Sequence, residues 1–285
     1  MKTVKAKKIE ASEDSSMGED LQARIHEANV EVHRFEAEHY ELLHPEVYGK
    51  QEQERIDSIL KMVDQLIEDN EKRALDFGAG TGNLTGKLLS MNYTVTAIDI
   101  SAEMCAILKK KYKAHLKTKK LVVINSPIED VNFDKGEFDL ITCYSVLHHL
   151  PDYVGAIQRL SVFLKKGGII YLDHEASPFY WKSEPQLLAD LVKGLYMHSN
   201  PLLNTLYFQV IGATVPSIDY TVSDYWHKKE HPLDHEEIEC VFEKARFDFS
   251  KRIDYHLNGT WVLNPIFYLY KRICKPEMSL WVAKK

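Results

Sequence analysis

The sequence has few cysteines, no excess of positive charge and no long apolar run, and each shortage removes a class of reading. Its four cysteines, Cys105, Cys143, Cys240 and Cys274, stand far apart and form no CxxC pair, so neither a disulfide framework nor a zinc site is expected and a reducing cytosol suits them. No uncharged apolar stretch reaches the ~18 residues of a membrane span, and the basic start MKTVKAKKIEASEDSSMGED leads into no apolar signal region. The expectation is a soluble, cytoplasmic chain with no membrane partner. A formal charge of -6 and a pI near 6.1 offer no broad cationic field to phosphate backbones, so nucleic acid is not an expected partner. The basic runs at Lys109 to Lys111 and Lys117 to Lys120 read as a solvated helix face and loop.

What is present is a chain of 285 residues, 45% of them hydrophobic, enough for one α/β core with additions. Residues 1–18, basic and then rich in Ser and acids, read as a flexible tail. Residues 19–70 read as an N-terminal helical lid. There Leu21, Ile25, Ala28, Val32, Phe35 and Leu42 recur at helical spacing, which predicts one long helix ending near His44-Pro45, followed by a second over 51–68.

From 71 to 174 strands and helices alternate, with strands near 73–77, 93–99, 121–125, 138–143 and 168–174 and helices near 82–90, 102–115 and 153–164. An aromatic-rich insertion with several prolines then occupies 175–232 and reads as the acceptor pocket, with Phe179, Tyr180, Trp181, Tyr225 and Trp226 as its wall, and a helix opens at Asp234, with Glu237 as its partner in an acidic capping box. Strands near 247–255 and 278–283, separated by a long connection with Trp261 and Tyr268, complete the sheet within residues 233–285. The predicted fold class is α/β: a doubly wound, mostly parallel seven-stranded sheet with an N-terminal helical lid and an insertion after the fifth strand.

The strongest signal is Leu75-Asp76-Phe77-Gly78-Ala79-Gly80-Thr81-Gly82, where a buried strand turns into a helix. Glycines at 78, 80 and 82 let the backbone turn sharply and approach a ligand, and the helix start offers unpaired N–H groups to an anion. A dinucleotide loop favours G-x-G-x-x-G, whereas the spacing here is G-x-G-x-G with Asp76 two positions before it. That carboxylate repels a pyrophosphate but suits a cationic amino group. The methionine end of S-adenosylmethionine carries both an amino group and a carboxylate, and Asp99, about 20 residues past the loop, fits an adenosine ribose.

At this point the chain resembles the class I S-adenosylmethionine-dependent methyltransferases of small-molecule type, with their Rossmann-like fold, over about residues 48–174. Beyond DFGAGTG and AIDIS, the segment FDLITCYSVLHHLPD at 138–152 is similar to that family's fourth-strand motif, and LKKGGIIYLDHE at 164–175 to its Gly-Gly turn before the fifth strand. The resemblance implies S-adenosyl-L-methionine as cofactor, with Asp76 near the methionine amino group, Asp99 and Ile100 at the ribose, Ser126, Pro127 and Ile128 beside the adenine, and Tyr144 and Ser145 bordering the sulfonium. Many relatives hold the adenine amino group with an Asp after the third strand, a place taken here by Asn125-Ser126-Pro127.

His148 and His149 follow the fourth strand, where an imidazole can serve as general base, or can simply cap and pack a turn before Pro151-Asp152. Tyr40, His44 and Tyr48 stand where they can close over a cofactor or pack a helix end. Methyl transfer from a sulfonium needs no metal, and no metal site is expected. The expected partner is a small-molecule acceptor. Rival readings are a nicotinamide oxidoreductase, opposed by the loop spacing, a protein or nucleic-acid methyltransferase, opposed in its base-modifying form by the lack of an Asn/Asp-Pro-Pro-Tyr motif, and a non-catalytic cofactor-binding regulatory protein.

Overall fold

Five short apolar runs, each bounded by polar or glycine-containing turns, form the parallel strands of one sheet: β1 Arg73–Phe77, β2 Thr94–Asp99, β3 Leu121–Asn125, β4 Phe138–Tyr144 and β5 Leu164–Ala176. The computed structural model describes residues 15–69, 71–180, 220–228, 231–256 and 275–285. Two C-terminal strands, β6 Phe249–Tyr255 and β7 Met278–Lys284, finish the sheet in the order β3-β2-β1-β4-β5-β7-β6, with β7 antiparallel to both neighbours. This is the seven-stranded, doubly wound arrangement expected. Strand order reverses between β1 and β4, so a crevice opens beyond their carboxyl ends, where ligands bind in such sheets.

Helices cover both faces. On one face Ile56, Leu60 and Val63 of α4 (Lys50–Gln65) and Leu84 and Leu88 of α5 (Asn83–Ser90) pack on Ala74, Val95, Leu140 and Tyr171. On the other, Ile157 and Leu160 of α8 (Tyr153–Phe163) and Ile238 and Phe242 of α10 (His235–Lys244) pack on Phe77, Ile98, Ile141 and Trp281. Predicted helix 102–115 is two pieces, α6 (Ala102–Lys111) and α7 (Lys113–Lys117), broken at Tyr112, whose hydroxyl donates to the Gly82 carbonyl at 2.9 Å. Asp234 caps α10 as expected, accepting from the Glu236 and Glu237 amides at 2.9 and 3.2 Å. The reciprocal half of the box is absent: Glu237 accepts instead from the Tyr153 hydroxyl at 2.7 Å, and that same hydroxyl receives the Asp234 amide.

The N-terminal cover departs most from expectation. In place of one helix to His44 there are α1 (Ser15–Glu36), a 3-10 turn at Ala37–His39, and two single turns, α2 (Tyr40–Leu43) and α3 (Pro45–Tyr48). Eight residues of continuous helix would set His44 about 12 Å beyond Glu36; instead His44 Nε2 lies 3.3 Å from the buried Glu36 carboxylate, which requires the chain to bend. The buried face is Ile25, Asn29, Val32 and Glu36, and Leu42 of the predicted apolar stripe is 44% exposed. Lys111, expected on a solvated face, pairs with Glu41 and donates to the Thr81 carbonyl at 3.1 Å, tying the cover to the glycine loop.

Of the insertion, residues 175–180, 220–228 and 231–232 are described, the second stretch beginning with α9 (Tyr220–Ser223), which packs on α1. β5 carries the sheet on to Ala176, two residues into the predicted insertion. Trp181, the connection with Trp261 and Tyr268, and Cys274 lie outside the described residues. No described helix is long and apolar enough to cross a membrane.

Candidate functional site

The glycine loop leaves β1 with φ of +68°, +52° and +93° at Gly78, Gly80 and Gly82, all in the left-handed region that an L side chain disfavours. The three differ in purpose. A Cβ at Gly78 would meet Val146 at 2.2 Å and one at Gly82 would meet the Tyr112 ring at 2.6 Å, whereas at Gly80 nothing lies within 4 Å. Gly78 and Gly80 border an open cavity and Gly82 packs inside the domain as the N-cap of α5.

The two acids divide likewise. Asp76 is buried beneath the loop, accepting from Thr85 at 2.5 Å and Thr142 at 2.9 Å, and burial pushes its carboxyl up to about 6 against those hydrogen bonds. It does not reach the cavity, so its visible work is to tie β1, β4 and α5 together. Asp99 does reach it. Its Oδ2 accepts the Gly80 amide at 2.7 Å and its Oδ1 the Ser101 amide at 2.8 Å, while burial raises its carboxyl above the usual range. Each oxygen keeps a second lone pair for a ligand hydroxyl.

The cavity is partly open to solvent, and about 700 Å³ of non-atom space, open solvent included, lies between its walls. It gathers most of the predicted residues: Gly78, Gly80, Asp99 and Ile100 on the loop side, Ser126, Pro127 and Ile128 after β3, Tyr144 and His149 after β4, and Tyr40 from the cover. Tyr48 lies just outside it, its hydroxyl 3.2 Å from Thr81 Oγ1 and its ring edge-on to Tyr40. Sequence reasoning missed His26, Asn29 and His33 of α1, which line the same cavity. Their spacing of three and four was legible as one helix face, but no pattern said that this face meets a ligand site. The Asn29 Nδ2 donates to the His149 carbonyl at 3.0 Å, fastening α1 across the opening.

The two histidines separate. His148 is buried away from the cavity with Nδ1 2.7 Å from Glu175 Oε2, and Glu175 also accepts the amides of Val146 and Leu147, so one carboxylate shapes the whole turn after β4. Burial alone would lower His148, but the Glu175 charge and hydrogen bond raise it. His149 borders the cavity, its Nδ1 3.0 Å from the Ser223 carbonyl, and burial with the nearby His148 and His33 holds it well below the usual imidazole range. Beside them a buried ionic cluster joins α4 to the sheet: Arg55 donates to Glu52 and, at 2.7 Å, to Asp173, while Tyr144 donates to Glu52 at 2.9 Å. This cluster orients the Tyr144 ring at the cavity wall. Of the aromatics expected in an acceptor wall, Trp226 packs inward, its Nε1 donating to the Leu150 carbonyl at 2.7 Å and its ring meeting Tyr153, while Tyr225 stacks on His231.

Comparisons with known proteins bear on the domain that carries this site. Residues 75–172 match the model of the methyltransferase domain family. Over 132 residues, 45% of the chain, it is 35% identical to an uncharacterized methyltransferase of Anoxybacillus flavithermus, covering 59% of that protein. Over 115 residues, 39% of the chain, it is 31% identical to a ubiquinone biosynthesis O-methyltransferase of Coxiella burnetii, covering 47% of it. The matched region thus spans about half the length of these relatives. Among solved structures, an S-adenosylmethionine-dependent methyltransferase from Mesorhizobium loti aligns at a TM-score of 0.52 with 14% identity, covering 79% of this chain and 96% of that one. The [4+2]-cyclase SpnF aligns at 0.50 with 14% identity and 80% of each chain covered. At such identities the likeness concerns the fold.

Proposed function

We propose, from the match of residues 75–172 to the methyltransferase domain family, that the chain is a class I S-adenosylmethionine-dependent methyltransferase, which binds S-adenosyl-L-methionine in the cavity beyond β1 and β4 and transfers its methyl group to a small-molecule acceptor. The observation that carries this reading is the Asp99 carboxylate, held by the Gly80 and Ser101 amides at the cavity edge beside a glycine whose Cβ space is empty. Such a carboxylate accepts both hydroxyls of a ribose, the Gly78–Gly80 backbone leaves room for the methionine end, and Ser126 to Ile128 offer a wall for adenine. The bound cofactor supplies a methyl group already activated on a sulfonium. The chain's own residues then position the reactants and exclude water: Tyr144, fixed by Glu52, forms one side and α1 closes the opposite one.

A hydroxyl or ammonium acceptor must also lose a proton. His149 is the imidazole of the predicted pair that borders the cavity, and its basicity, lowered by burial and by the nearby His148 and His33, keeps it neutral near pH 7. The likeness to an O-methyltransferase of Coxiella burnetii favours a small organic acceptor. Fold alone does not decide the reaction, as the cyclase neighbour reminds, so the test begins with binding. Calorimetry is expected to show binding of S-adenosylmethionine or its demethylated product and none of NAD. Asp99→Ala is expected to weaken that binding by roughly 1.5 to 3 kcal/mol; unchanged affinity in a folded variant refutes the ribose assignment. Labelled methyl transfer into fractionated cell extract then identifies the acceptor.

A further inference from the structure

Three potential ligand atoms, one each from His148, His149 and Asp224, lie within 4.8 Å of one another where the turn after β4 meets the segment after α9. We propose that they form a binding site for a divalent transition-metal ion of the zinc type. The donor set of two imidazoles and one carboxylate is what such ions favour over magnesium or calcium, which prefer all-oxygen cages.

The geometry supports this beyond proximity. Glu175 holds His148 Nδ1 at 2.7 Å, which fixes the ring and leaves Nε2 as the nitrogen with a lone pair to give. A carboxylate behind a ligating histidine is the usual support of such sites, because it sets tautomer and orientation before the metal arrives. Glu175 is itself immobilised by the Val146 and Leu147 amides at 2.9 and 2.8 Å. His149 Nδ1 and Asp224 Oδ1 stand 3.3 Å apart, the separation that two ligands adopt on a tetrahedral ion with bonds of about 2.0 to 2.1 Å. Without a cation, His149 Nδ1 shares its proton with the Ser223 carbonyl, so metal uptake at neutral pH displaces that proton. The His227 ring, 5.5 Å from that of His148, stands at the rim.

Asp224 belongs to the insertion and the histidines to the sheet edge, so a cation here would lock the two together. His149 also borders the cofactor cavity, which places an open coordination position within reach of an acceptor. A metal-bound hydroxyl acidifies, and in the loaded protein that effect replaces proton removal by His149 itself. The binding proposal stands independently of methyl transfer.

The test uses the full chain, stripped with chelator and titrated with zinc chloride by calorimetry, with zinc per chain counted after gel filtration. One equivalent is expected, and His149→Ala and Asp224→Asn are each expected to weaken uptake at least tenfold. The Asp224 carboxylate is 46% exposed, so its amide variant keeps the fold and remains informative if His149→Ala does not. Absence of stoichiometric zinc in the wild-type chain overturns the proposal. So does zinc bound equally well by the folded Asp224→Asn protein, which would place the ion elsewhere.

Discussion

In the sheet, Leu75, Ile98, Ile141 and Ile170 are sealed from solvent by helices on both faces, and every strand between the edge strands β3 and β6 is flanked on both sides. The N-terminal cover, residues 15–48, meets the domain differently. It is held by the Asn29 bond to the His149 carbonyl, the Tyr48 and Glu41 contacts with Thr81, the Lys111 to Glu41 pair, and two buried aliphatics of α1, Ile25 and Val32. Apolar burial gives the sheet its stability, while contacts through a few polar side chains give the cover position at small energetic depth. A segment of the second kind can open and close over a ligand without unfolding the first.

Removing the cover makes the sharpest break. Deleting residues 1–44 takes His26, Asn29, His33 and Tyr40 from the cavity wall, so affinity for S-adenosylmethionine is expected to fall by more than tenfold while circular dichroism and the main thermal transition report an intact sheet. Wild-type affinity in the truncated protein would show that the cover is no part of the site.

Paired core substitutions probe the same contrast. Trp281→Ala empties a fully buried indole site and is expected to cost about 3 to 5 kcal/mol of global stability in a denaturant titration. Ile25→Ala, equally buried in the cover, is expected to leave the global midpoint nearly unchanged and to speed amide exchange across residues 20–48. Equal losses from both would mean that cover and sheet unfold as one unit.

Two glycines separate stability from binding within a single loop. Gly78→Ala forces a Cβ into Val146 at a φ of +68° and is expected to lower stability by about 1 to 3 kcal/mol. At Gly80 the added methyl meets open space, so Gly80→Ala is expected to cost about 1 kcal/mol of backbone strain yet to weaken cofactor binding more than its neighbour does per unit of stability lost. Calorimetric affinities beside melting curves for the two variants decide it.

The smallest effect concerns pH. His44, between Glu36 and Glu46, is raised to about 9, their hydrogen bonds and charges overcoming burial. Its folded value exceeds the unfolded one, near 6.5, so the stabilisation is complete below 6.5 and disappears as pH rises through 9. Amide exchange in residues 36–48, corrected for intrinsic rate, is expected to accelerate over that window, and His44→Gln is expected to remove the dependence with a stability change under about 1 kcal/mol.

Much of the fold was legible because strand and helix periods in a buried α/β core are dictated by local sequence. The runs at 73–77 and 121–125 became strands with those bounds, and 93–99 lost only Tyr93. The glycine loop was legible too, since its left-handed positions admit little else. The cover was not, because its bend at Glu36 answers to His44 and its ligand-facing side to a cavity built by other strands. Asp76 illustrates the middle ground: its presence in the motif was evident, while its bonds to Thr85 and Thr142 depended on side chains that only the folded sheet brings near.

By itself, then, the sequence determined the order of strands and helices, the turn at Gly78 to Gly82 and the acid at the end of β2, all consequences of local backbone preference and hydrophobic period. Tertiary structure decided which face of α1 lines the cavity, that His149 borders it while His148 is claimed by Glu175, and that Asp224 arrives beside both. Those pairings join residues tens of positions apart, and no local preference encodes a distance that only packing of the whole chain creates.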